Sequence, residues 1–151
     1  MNYLLSMLNY NKWANEQTLS SIETANEPDQ KALDVFAHIL NAEQIWIQRI
    51  KETVNLSPWD TKTLEECKEQ MIKNNDEYTE FLSWLRPDEL KRDVHYTDFK
   101  GESWSIPVQE LFIHVFNHAT YHRGQIAMLL RNSGNVPVST DYLLTVRRVQ
   151  E

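Results

Sequence analysis

Three of the five histidines in this chain fall at His114, His118 and His122, within the stretch HVFNHATYHRGQ. On an α-helix, residues four apart are neighbours on one face with Cβ atoms about 5–6 Å apart, so either adjacent pair could clasp one ion. All three together make a poor chelate. His114 and His122 are separated by about 12 Å along a helix axis and about 80° around it, whereas Zn–N bonds are only about 2.0–2.1 Å. At about 100° per residue, His122 falls inside the apolar arc of Leu111, Val115, Ile126 and Leu129, His118 lies at its edge, and His114 sits about 40° farther out. The inward pair is therefore His118 and His122.

A third ligand must come from another element. His38 qualifies because it aligns with Val35, Ala42 and Ile45 at one edge of an apolar helical face, while His95 lies in an irregular segment and is the weaker candidate. Three neutral imidazoles on two packed helices leave one or more coordination positions for water or substrate, an arrangement of catalytic rather than structural zinc. Nickel, iron and manganese also accept such ligands. Inward histidines satisfied by hydrogen bonds alone are the competing reading, and with it a purely structural dimer. Other chemistries fail on spacing: Ala119 stands where a zincin helix needs Glu, Glu110 and His114 are four rather than three apart, and no glycine-rich phosphate loop or nucleophile elbow occurs.

These residues need long helices to hold them, and the composition favours helices: 151 residues contain only three glycines and five prolines. Periodicity predicts a first helix from about Tyr3 to Thr24, a second from near Pro28 to about Thr53, a third capped by Thr63 and Glu66 and ending before Pro87, and a fourth from Pro107 to about Asn132, stopped by Gly134. Residues 88–106, with Asp98, Lys100 and Gly101 at their centre, read as a hairpin or irregular crossover. A short helix capped by Ser139 or Thr140 is expected in the tail. The fold class is all-α: one domain over 1–151, a four-helix bundle with a long crossover between its third and fourth helices.

Charge and composition narrow the partners. A net charge of −7 with no basic cluster argues against nucleic acid, and no run of about 18 apolar residues suggests a membrane span. Nothing at the N-terminus has the pattern of a secretory leader, and the lone Cys67 forms no intramolecular disulfide, so a cytoplasmic location is expected. Cys67 aligns with Leu64, Met71, Tyr78 and Leu85 and reads as a buried apolar side chain. Asn11, Asn15 and Thr18 share the inner arc of the first helix, where they could line a hydrated cavity or cap a loop.

NHATYHRGQI, together with YNKWANEQTL near the N-terminus and VFAHILNAEQIW in the second helix, resembles the DinB family, small damage-inducible bacterial four-helix bundles related to mycothiol- and bacillithiol-dependent transferases. The likeness runs to PVSTDYLL. It implies a divalent metal, often zinc or nickel, on His38, His118 and His122, the same three that spacing selects. Many relatives carry His where this chain has Tyr121. The resemblance also implies a homodimer and a small-molecule substrate, with a low-molecular-weight thiol as a possible cofactor. The expected activity is a metal-dependent enzyme that activates a thiol or water, either S-transferase or hydrolase. The alternative is a non-catalytic metal- or ligand-binding stress protein. Among neighbouring residues, Arg123 is expected to pair with an acidic residue on another helix or position an anionic substrate, Gly124 to permit close helix approach, and Gln125 and Glu43 to hold a ligand imidazole or a metal-bound water. Trp13 and Trp46 are expected core anchors, His114 a structural or supporting residue, and His95 a surface residue.

Overall fold

A computed structural model describes residues 2–27, 29–51, 53 and 56–148. Four long helices dominate: α1 (Asn2–Glu23), α2 (Gln30–Ile50), α3 (Leu64–Trp84) and α4 (Val108–Asn132). The expected Pro28 start lies outside the described residues; Asp29 caps α2 by accepting the Lys31 N–H at 3.0 Å. Thr63 and Glu66 form the anticipated capping box on α3, satisfying two otherwise orphaned backbone donors. Gly134, at φ +80°, follows the end of α4 in the left-handed conformation that glycine adopts at little cost. None of these helices is long and apolar enough to cross a membrane.

The crossover is a hairpin. After a 3-10 turn at Pro87–Lys91, strands β1 (Asp93–Thr97) and β2 (Ser103–Pro107) pair antiparallel, with His95 opposite Ser105. The Asp98 carboxylate ties the turn by accepting the N–H groups of Lys100 and Glu102, and Gly101 supplies its positive φ of 85°. The tail folds back along the bundle, where Tyr10 donates to the Thr140 carbonyl and Ser21 accepts the Val138 N–H. Its short helix α5 (Leu143–Val146) begins under Asp141, which accepts the Leu143 N–H, rather than under Ser139 or Thr140. A carboxylate two residues before that N–H has the better reach.

Helices α1 and α2 each pack against both α3 and α4. The apolar interior divides into two clusters. One holds Leu4, Leu8, Trp46, Leu82, Phe112 and Phe116; the other holds Leu19, Ile22, Phe36, Leu40, Cys67, Ile126 and Leu130. Phe36, Phe112 and Phe116 are each almost wholly buried, worth about 1.5–3 kcal/mol apiece relative to exposure. Between the clusters runs a buried polar layer with a member from every long helix: Asn11 and Asn15, Glu43, Asn74 and Arg123. On α4, His122 directly precedes Arg123 of this layer and His118 lies about one turn earlier.

Candidate metal centre

His38 projects from α2, and His118 and His122 from α4, the two helices held together by the apolar residues above and below them. One ring nitrogen from each lies within 4.8 Å of the others. The Nε2 of His118 is 3.2 Å from that of His38 and 3.1 Å from that of His122. His38 and His122 are buried, and His118 is half-buried.

The outer ring nitrogens decide the protonation pattern. Nδ1 of His38 lies 2.8 Å from the Pro58 carbonyl, and Nδ1 of His122 lies 2.7 Å from Oε1 of Gln125. Both oxygens accept, so both Nδ1 atoms carry hydrogen, and in that tautomer both Nε2 atoms present lone pairs inward. His118 has one Nε2 and at most one proton to share there. At least one of its two short N···N contacts therefore opposes lone pairs unless a cation lies among them. Two nitrogens 2.0–2.1 Å from one ion are about 2.9 Å apart at a right angle and about 3.4 Å apart at the tetrahedral angle, and the observed separations fall between. Burial, reinforced by the neighbouring His122, His38 and His114, drives the His118 imidazolium down to a pKa of about 3. Burial likewise lowers His38, with Pro58 opposing and His122 adding to the shift. Neutral rings are the form that binds metal. The three histidines thus fit a divalent ion by donor type, tautomer and separation.

The neighbouring residues sort differently from expectation. Gln125 supports His122 as anticipated, but Glu43 holds no imidazole. Its Oε1 accepts from Asn11 at 2.8 Å and Asn15 at 3.0 Å, and its Oε2 accepts from Asn74 at 3.0 Å. Burial raises its pKa against these donors and against the charge of Arg123. Arg123 makes its hydrogen bonds to Asn11, Asn15 and Thr120 instead of to a carboxylate. Asn11 and Asn15 are thereby absorbed into a packed network, and Thr18 bonds the Ala14 carbonyl; a hydrated cavity lined by these three is not what forms. Gly124 permits no close approach, since a Cβ there meets nothing within 4 Å. His114 is exposed beside Trp46, its ring 5.8 Å from that of His118, and His95 is exposed on β1. Trp46 is a buried anchor, and Trp13 is half-buried.

Sequence reasoning passed over Pro58 and Trp59, which meet His38 from the loop after α2, and Asn74, which completes the polar layer. Each had a signal. Trp59 is a large aromatic in the loop between α2 and α3, outside any helical period, and Asn74 fills the gap in the α3 line of Cys67, Met71 and Tyr78. A DinB family model matches residues 1–150. Protein DinB of Bacillus subtilis (strain 168) is 24% identical over 159 residues, covering 93% of this chain and 91% of that protein.

Proposed function

The chain belongs to the DinB family, and from that premise and the site geometry we propose that His38, His118 and His122 hold a divalent metal ion, zinc or nickel foremost, in a metal-dependent enzyme. The convergence of three Nε2 atoms, two of them fixed as lone-pair donors by Pro58 and Gln125, carries this reading. When bound, such an ion lowers the pKa of a coordinated thiol or water so that a thiolate or hydroxide exists near pH 7. The protein's share is to keep His38 and His118 neutral by burial, aim the three imidazoles inward and bury two of the rings away from solvent. Family kinship puts S-transfer from a low-molecular-weight thiol to a small electrophile first, and hydrolysis second. The proposal includes a cytoplasmic homodimer.

A second reading, non-catalytic binding of metal or a small ligand, is favoured by one feature: Glu43, the carboxylate of the polar layer, is fully engaged by three asparagines rather than poised as a base. Metal analysis of untagged protein tests the common ground. About one ion per chain in the wild type, lost in His122→Ala, is expected; no metal in either overturns the site. Screening the loaded protein with bacillithiol-like thiols and electrophiles separates the two readings. Turnover that survives chelation or His38→Ala would sink the metal-activated mechanism.

A further inference from the structure

The loop between α2 and α3 grips His38 from two directions. The Pro58 carbonyl takes the Nδ1 hydrogen, and the indole of Trp59 lies flat on the imidazole, with 3.7 Å between ring centroids and 8° between planes. Trp59 also stands perpendicular to His122, 6.4 Å away. The turn carrying these groups is pinned to α2: Asn41, fully buried one helical turn from His38, donates to the Asp60 carbonyl at 2.7 Å, and the Asp60 carboxylate accepts the Ser57 N–H at 3.3 Å.

Trp59 is nevertheless 59% exposed. Core packing therefore does not account for its position, since most of the indole stays in water and gains little from the hydrophobic effect. What the contact does is geometric. A hydrogen bond at Nδ1 fixes one atom of the ring but leaves its plane free to rock, whereas a parallel stack fixes the plane. With both in place, Nε2 has one direction, and that direction faces His118 and His122.

We propose that Trp59 is a positioning residue of the metal site, orienting His38 so that its Nε2 meets the other two, and that metal binding in turn orders the turn Ser57–Asp60. This rests on the metal-binding reading above. Coupling of this kind is reciprocal: whatever closure of the turn adds to metal affinity, bound metal returns to closure of the turn.

Metal-stripped wild type, Trp59→Phe, Trp59→Ala and His122→Ala are titrated with Zn²⁺ against a chromophoric chelator, with circular dichroism confirming the helices of each variant. Trp59→Ala is expected to weaken Zn²⁺ binding by about tenfold to a hundredfold, and Trp59→Phe, which keeps a flat ring over His38, to stay close to wild type. In wild type alone, Zn²⁺ is expected to slow amide hydrogen exchange at Ser57, Trp59 and Asp60, a measurement independent of any variant's stability. Wild-type affinity in Trp59→Ala, or exchange at Ser57, Trp59 and Asp60 indifferent to Zn²⁺, overturns the assignment while leaving the three-histidine site standing. Failure of the wild type itself to bind overturns both.

Discussion

Glu43 and Arg123, each 3% exposed and of opposite formal charge, face each other across the centre of the bundle through the side-chain amides of Asn11 and Asn15. Each asparagine donates to the carboxylate and accepts from the guanidinium, so its amide dipole is aligned by both. An isolated buried charge costs several kcal/mol, and the bridge spreads that cost over hydrogen bonds from three helices. The same layer fixes the relative heights of the helices that carry the histidines, since a register slip orphans several buried groups at once.

Removing one partner leaves the other stranded. Arg123→Leu and Glu43→Leu are each expected to destabilise the protein by about 3–5 kcal/mol, read from urea unfolding midpoints. The double variant should cost clearly less than the sum of the two. Strict additivity would show that the charges do not communicate through the asparagines.

Gln125 touches the three-histidine cluster only through the Nδ1 hydrogen of His122, and so would act on the proposed metal site through that ring. Gln125→Ala frees that ring to rotate or change tautomer and is expected to lower metal affinity by about tenfold to a hundredfold, with little change in thermal midpoint for a half-buried side chain on a helix flank. Gln125→Glu keeps an acceptor at the same reach and should retain binding. Equal affinities for all three proteins in a competition titration would dismiss the support role.

Cys67 is fully buried, and burial pushes its thiol up to about 11. The unfolded thiol ionises near 9.0, so the folded chain binds more protons between those values. Stability should accordingly fall as pH rises through that interval. Cys67→Ala, whatever its fixed offset from the lost packing, should show a shallower alkaline decline in unfolding midpoint. A thiol reagent near pH 8 should label native protein slowly and denatured protein at once. Rapid native labelling contradicts the buried placement.

Gly124 sits in α4 with open space where its Cβ would be. Gly124→Ala should therefore stabilise the bundle by about 0.5–1 kcal/mol through helix propensity alone. A loss of stability in calorimetry would mean that a neighbour packs there after all.

The helices were legible because their signals are local. Periodicity, the Thr63–Glu66 box and Gly134 act within a few residues, and long amphipathic segments with few breakers fold much alike in most tertiary settings. The pairing of His118 with His122 was legible for the same reason, being a property of one helix. Selecting His38 needed only the inference that two apolar faces meet. Its apparent partners were harder: Glu43 sits on the inner face of α2 and invited a role at the imidazoles, whereas its oxygens are claimed by asparagines from α1 and α3.

The sequence by itself therefore determined which side chains each helix turns inward. Only the tertiary structure decided what those side chains meet, because a hydrogen-bond partner is chosen by helix heights and loop paths set over the whole chain. Gln125 lies three residues from His122, and its support could be read from helical spacing. Pro58 and Trp59 lie some twenty residues from His38, beyond any period in the sequence, and meet it in a turn that Asn41 ties to α2.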